Sequence, residues 1–402
     1  MPSSGSGGGA PLVGLRVVDL SRVLAGPYAT MVLADLGADV VKVERPGEGD
    51  ETRAWGPPFA GGEAAYFLSI NRSKRSVAVD LKQAEGRALA LDLCARADVV
   101  VENFRRGVAA RLGLDAAAVR ARNRGVVYCS ITGFGKRDAS GRPAYDFVVQ
   151  AESGLMSITG EADGPPTKVG VALVDVLAGL NAAVAILAAL RRRDVTGMGE
   201  RIEVSLVDAA LAGLVNVAQG ALVTGEEPKR YGNAHPSIVP YQPFRAADGL
   251  VAVAAANDGL FARLCEALGR PELAADERFA TNAARVRNRD ELLPLLGEVF
   301  ATREADEWVA LLGAAGVPVG KIRGVLEALR AAGPATVRVA HPAAGELELV
   351  APPFTLESAS LREAVPPPLL GEHTREVLAE LGLDEERLAA LEQRGVVAAA
   401  GA

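Results

Sequence analysis

The sequence is poor in the residues that hold metals, close disulfides or relay protons. Its 402 residues include three cysteines and three histidines. Cys94, Cys129 and Cys265 are odd in number and far apart, so no disulfide framework is implied and a reducing, cytoplasmic setting is expected. His235, His341 and His373 form no cluster with them, and no metal site is expected. A G-x-S-x-G elbow is missing, which removes the main support for a serine hydrolase. No G-x-G-x-x-G follows the first strand, so the dinucleotide fingerprint is missing as well. Aromatic residues make up only 4% of the chain, and basic residues (43) are outnumbered by acidic ones (50). A net charge of −7 argues against a nucleic-acid partner, which needs a basic face. No apolar run of membrane-spanning length is uninterrupted. Residues 169–190 come nearest, but Asp175 lies among them, so no membrane partner is expected. Residues 1–11, rich in Ser and Gly, have neither the basic nor the apolar region of a signal peptide and read as a disordered leader.

What is present is a regular alternation. Apolar strands are expected at residues 15–20 (LRVVDL), 39–44 (DVVKVE), 76–80, 98–101 (DVVV), 126–131 (VVYCSI) and 201–204. Helices are expected between them: one opened by Pro27 and stopped at Gly37, one over 84–96, and a single helix over 206–218. Continuous apolar strands alternating with helices predict an α/β fold, a Rossmann-like, mostly parallel sheet covered on both faces. A second, smaller α/β unit is expected from a hairpin around Asp248-Gly249 and helices at 260–268, 290–300 and 305–315. Closing helices follow the stiff Pro366-Pro367-Pro368 linker.

The chain is organised around residues 163–193, DGPPTKVGVALVDVLAGLNAAVAILAALRRR. A Gly-Pro-Pro turn leads into a short apolar run, 168–174, expected to cross the core as strand or buried coil. A helix follows from residue 176, expected to be buried nearly all round, with three arginines at its C-terminal end. Asp175 stands at its start. It reads either as an N-cap or as a desolvated carboxylate able to serve as a nucleophile.

Ligands of parallel sheets bind at the carboxyl ends of the strands. Arg22, Arg45, Asn71, Arg72, Lys74, Arg75, Asn103, Phe104 and Arg111 fall on the loops there. In an acidic chain this recurrence of cations favours an anionic ligand such as a nucleotide.

These residues belong to longer stretches: LSRVLAGPYAT, ADLGADVVKVERP, NRSKRSVAVDL, DVVVENFRRG, RPAYDFVVQA, DGPPTKVG, TGMGERIEVSLVDAAL and PPPLLGEHT. In content and order they resemble the family III CoA-transferases of the CaiB/BaiF type, which also include formyl-CoA transferase and α-methylacyl-CoA racemase. NAHPSIVPYQPF (233–244), TNAARVRNRDEL (281–292) and GVPVGKI (316–322) are similar to the succinyl-CoA:glutarate branch.

The resemblance implies that Asp175, followed four residues later by Gly179, is the catalytic nucleophile. It implies transfer of CoA from an acyl-CoA donor, succinyl-CoA first, to a dicarboxylate such as glutarate or a C4–C6 relative. No tightly bound cofactor is implied; CoA enters as substrate. The CoA contacts carried over are Arg22, Val23, Ala25, Arg45, Arg72, Lys74, Arg75, Asn103, Phe104, Arg111 and Tyr145. Leu24, Asn233 and His235 fall in the substrate pocket, where the pattern departs from formyl-CoA transferase. His235 is open to three roles: an imidazole catalyst, a carboxylate contact or an ordinary loop residue.

The implied architecture is an interlocked homodimer of two-domain chains. The large CoA-binding domain covers 12–222, and a linker with the small domain covers 223–335. Residues 336–402 return to the large domain. Two other functions compete. An acyl-CoA racemase or epimerase is disfavoured because Tyr145 stands where its histidine would be, and a phenol ionising near 10 is a poor base at neutral pH. A CoA-binding protein without turnover is disfavoured by the intact Asp175.

Overall fold

The computed structural model describes residues 9–135 and 141–400. Residues 1–8 of the expected leader lie outside the described residues. Residues 10–15 are tied to the body: Leu12 N–H donates to Leu36 C=O at 2.8 Å.

Six parallel strands form the centre of the first unit: β1 (Arg16–Asp19), β2 (Asp39–Glu44), β3 (Lys74–Val79), β4 (Val99–Glu102), β5 (Val127–Thr132) and β6 (Arg201–Ser205). A seventh strand, β7 (Val397–Ala398), pairs antiparallel with β3 at one edge. The sheet order is β7-β3-β2-β1-β4-β5-β6. Val17, Val18, Val40, Val41, Val77, Val99, Val100 and Val127 are at most 1% exposed. This two-sided burial is why the strands read as unbroken apolar runs. The order reverses between β1 and β4, which makes a crevice at their carboxyl ends.

Helix α1 (Ala25–Asp35) follows β1, and Leu36 and Gly37 end it, Gly37 with φ +105°. Helix α2 (Asp146–Glu152) precedes the long α3 (Leu173–Thr196). Helix α4 (Leu206–Gly213) packs on α3, as does α1.

Three expectations change here. Helix α3 begins at Leu173, so the run 168–174 is not a core strand; its Val171 is 61% exposed. Nor is α3 buried all round: Leu180, Val184 and Val195 are exposed. By length and apolar composition α3 could span a membrane, but half of its most apolar stretch is buried, against α1, α4, β5 and β6. Finally, 206–218 is not one helix. The chain breaks after Leu214 and turns by 79° into Val215–Thr224, with Val215 at φ +42°. Gly213 closes α4 one residue before that break.

Contacts divide the chain into two compact units. The first comprises the residues up to Gly154, Val169–Gln219 and Pro334 onward. The second comprises Leu155–Lys168 and Gly220–Gly333, so residues 155–168 group with the smaller unit rather than with the expected 12–222 domain. The second unit has a three-stranded antiparallel sheet, Tyr241–Arg245, Leu250–Ala254 and Val319–Lys321. Its core gathers Phe244, Phe261, Phe279, Leu292, Leu296, Phe300 and Trp308.

Candidate active site

The loop between β1 and α1 is held from every side. Ser21 N–H donates to Asp19 Oδ1 at 3.0 Å, and Lys42 Nζ donates to Ser21 C=O at 2.9 Å. The Arg22 peptide is bracketed by one side chain. Its N–H donates to Asn103 Oδ1 at 2.9 Å, and its C=O accepts from Asn103 Nδ2 at 2.7 Å. Val23 N–H donates to Asp50 Oδ1 at 3.3 Å, and Asp50 is itself ion-paired to Lys42 at 2.8 Å. These bonds hold Val23 at φ +69°, a conformation a β-branched residue adopts only under constraint. Helix α1 then starts at Ala25 with no side-chain cap.

Beneath the loop lies a buried ionic layer. Lys74 Nζ meets Asp19 Oδ2 at 3.1 Å, Pro27 C=O at 2.8 Å and Asn71 Oδ1 at 2.9 Å. Burial works to raise the Asp19 carboxyl, but Lys74, Lys42 and the Ser21 and Thr30 hydroxyls outweigh it and hold the group down at about 2.

Asp175 sits in the first turn of α3, 8% exposed. It is not the N-cap. Ala172 occupies that position and has no capping side chain. The cap comes instead from α2, where Asp146 Oδ1 accepts from Val174 N–H at 2.7 Å and from Asp175 N–H at 3.3 Å. Burial, then the nearby Asp146 carboxylate, push the Asp175 carboxyl up to about 7. Among the described residues no donor bonds the Asp175 carboxylate to lower it again. A desolvated, unbonded carboxylate of this kind is a reactive one. Tyr66 lies within its field: burial, then Asp175, Asp146 and Asp50, raise that phenol to about 12.

Gly179, one turn on, explains how α1 comes so close. A Cβ there would stand 2.6 Å from the Ala25 carbonyl oxygen and 3.2 Å from the Tyr28 ring. Gly179→Ala is therefore expected to push the start of α1 away from Asp175. It should cost about 1–3 kcal/mol in denaturant unfolding, as overpacking does, with a fall in kcat.

A cavity of about 160 Å³ lies at the carboxyl ends of β1, β4 and β5. Asp175, Arg22, Val23, Leu24, Ala25, Asn103 and Tyr145 line it, so seven residues expected from the sequence come together. Glu51, Arg105, Thr132 and Leu206 line it as well and were not anticipated. Arg105, adjoining Asn103 and Phe104 in ENFRRG, could have been found from the sequence. Asp146 could not, since nothing local marks it as the cap of a helix 28 residues away.

Other expected CoA contacts lie elsewhere. Arg72 is buried and spent on Asp35, at 2.5 and 2.8 Å, and on Val350 C=O. Arg75 pairs with Asp39, Glu376 and Glu380, and Lys74 is the buried ammonium described above. A phosphate at any of the three would have to displace a carboxylate already in place, so their assignment as phosphate ligands is corrected to structural ion pairing. Arg45 is exposed and pairs with Glu48 at 2.5 Å. Phe104 packs against the core beside the sheet. Arg111 is exposed on the short helix Val108–Leu112. None of these three lines the cavity. Asn233 and His235 belong to the second unit, where His235 Nδ1 accepts from Ser237 N–H at 3.1 Å and the ring lies 5.3 Å from that of Tyr241.

Comparisons with known proteins give the chain its family. The family model for CoA-transferase family III matches residues 12–374. The succinyl-CoA:glutarate CoA-transferase of Mus musculus is 43% identical over 393 residues, covering 96% of this chain and 90% of its own. The succinate–glutarate CoA-transferase of Agrobacterium fabrum is 44% identical over 388 residues, covering 92% and 96%. Among solved structures, a CaiB/BaiF family protein from Brucella suis is 44% identical and superposes with a TM-score of 0.84, covering 93% of this chain and 100% of its own. The loop, the buried aspartate and the close glycine thus stand in a chain that belongs to CoA-transferase family III.

Proposed function

We propose that the protein moves CoA from succinyl-CoA to glutarate or a related C4–C6 dicarboxylic acid, with Asp175 as the covalent relay. A carboxylate oxygen of Asp175 attacks the thioester carbonyl carbon. The C–S bond breaks, giving a succinyl–aspartyl anhydride and CoA thiolate. The thiolate attacks the aspartyl carbonyl, releasing succinate and leaving an aspartyl-CoA thioester. The acceptor carboxylate displaces the thiolate as a new anhydride. Thiolate attack on the acceptor carbonyl then yields the new CoA ester and restores Asp175. Each exchange is divided into covalent stages that a single displacement between carboxylates cannot offer.

The observation that carries this reading is the 8%-exposed Asp175 carboxylate on the cavity wall, unbonded among the described residues. Burial of the Asp175 carboxyl limits the water that reaches it, which protects anhydride and thioester from hydrolysis. Arg105 on the same wall supplies a cation for the CoA phosphates. Arg22, whose 2.7 Å pair with Glu51 is half-exposed and weak, supplies a second by giving up that pair. The dicarboxylate class rests on the names of the relatives. Racemisation is disfavoured because no imidazole is among the residues lining the cavity, and Tyr145 stands in the place expected for one.

The test is to incubate the protein with succinyl-CoA and glutarate, malate, itaconate or 3-hydroxy-3-methylglutarate and follow new CoA esters by mass. A glutaryl ester formed in preference to the others supports the assignment. Deuterium exchange at Cα of a branched acyl-CoA, with no new ester, contradicts it.

We further propose a homodimer. Leu180, Val184 and Val195 on α3, with Phe147 on α2, leave apolar surface exposed in the single chain, and such surface marks an interface. Sedimentation at twice the chain mass supports this, and a monomer at micromolar concentration contradicts it. Three buried thiols suit the cytoplasm, which fractionation of the source cells would test.

A further inference from the structure

Asp146 makes more bonds than a residue at the start of a seven-residue helix requires. Oδ1 takes the two backbone N–H groups that open α3, and Oδ2 accepts from Gln150 Nε2 at 2.6 Å. Gln150, one turn along α2 and fully buried, holds the approach to α3. Its Oε1 accepts from Val169 N–H at 2.9 Å, and its Nε2 also donates to Val171 C=O at 3.3 Å. The Asp146–Gln150 pair thus grips the chain on both sides of the helix start. The result is two buried carboxylates within each other's field, one fully bonded and one bare among the described residues. Among the described residues, Tyr66 feels both carboxylates and Asp50, and Arg22, Glu51, Arg105 and Tyr145 share the cavity wall with Asp175.

We propose that Asp146 is a positioning residue that caps α3 from a neighbouring helix and so sets both the direction and the charge surroundings of the Asp175 carboxylate. The inference rests on Asp175 being the nucleophile. Its consequence is chemical. While Asp175 is free and ionised, the two carboxylates repel one another. When Asp175 becomes an anhydride or a thioester it is neutral, and the repulsion is gone. Asp146 therefore favours the acylated enzyme over the free one, without touching the substrate or exchanging a proton.

The test compares wild type with Asp146→Asn and Asp146→Ser; serine is a good cap and carries no charge, so it serves if the asparagine variant does not fold. Two quantities are read: the titration midpoint of Asp175 by carboxyl ¹³C NMR, assigned against Asp175→Asn, and the fraction of enzyme carrying CoA at fixed succinyl-CoA and succinate. The midpoint is expected to fall by about one unit or more on loss of the like charge, and the CoA-bearing fraction to fall several-fold. Gln150→Leu, which keeps the charge, should leave the midpoint in place. An unmoved midpoint in the folded Asp146 variants, or an equal shift in Gln150→Leu, overturns the proposal. If wild type carries no CoA at any pH, the nucleophile reading fails. The ¹³C midpoint alone then decides the coupling between the two carboxylates by the same criterion.

Discussion

Asp175→Asn is expected to abolish CoA transfer and at the same time make the protein more stable. The first effect follows from losing the nucleophile. The second follows from the carboxyl being held at about 7 in the fold, against 3.8 as its ordinary value. Below pH 3.8 the group is protonated folded or unfolded, and it imposes no cost. Between 3.8 and 7 the unfolded chain ionises while the folded one keeps its proton, so stability falls as pH rises. Above 7 the cost is complete. About three units at ~1.4 kcal/mol each sets a ceiling of about 4 kcal/mol; the gain in the variant is expected at roughly 2–4 kcal/mol at pH 8 and to vanish near pH 4. Thermal unfolding across that pH range checks both the sign and the slope. The same titration makes wild-type turnover rise with pH through about 7, because only the carboxylate attacks.

Lys74→Met is expected to cost about 3–5 kcal/mol, the cost of leaving one partner of a buried pair alone. Asp19 and Lys74 are both fully buried. Without the ammonium, Asp19 keeps Lys42, Ser21 and Thr30 as favourable neighbours, which places the expected loss toward the lower end. Pro27 C=O and Asn71 Oδ1 lose a donor as well. A phosphate-binding Lys74 makes the opposite prediction: a raised KM for acyl-CoA with unfolding unchanged. Denaturant unfolding together with the KM of the surviving fold separates the two. The expected result is a large stability loss with KM changed little.

How far the sequence could be read divides along a physical line. Features set by local pattern were legible. The five strands β1 to β5 announce themselves because both faces are buried, whereas β6 is partly exposed. Gly37 marks the end of α1 by backbone chemistry, but α1 opens at Ala25, two residues before the expected Pro27. The β1–α1 loop and Asp175 were legible through motif likeness, and they do converge on one cavity. Features set by long-range partners were not. Arg72, Lys74 and Arg75 read as free cations because their acids, Asp35, Asp19 and Asp39, come from other strand ends and helices. Asp175 read as a cap because Asp146 cannot be placed over it without the fold. The exposed stripe of α3 was hidden by a composition that is apolar on every side.

The central claim is that Asp175 carries CoA covalently during transfer. The most direct measurement is the mass of the protein after a short incubation with succinyl-CoA, followed by mapping of the modified peptide. The account predicts a CoA adduct on Asp175 that is discharged by glutarate with formation of glutaryl-CoA and is missing in Asp175→Asn. Glutaryl-CoA produced at an undiminished rate by Asp175→Asn, or by wild type with no adduct on this residue, would contradict it.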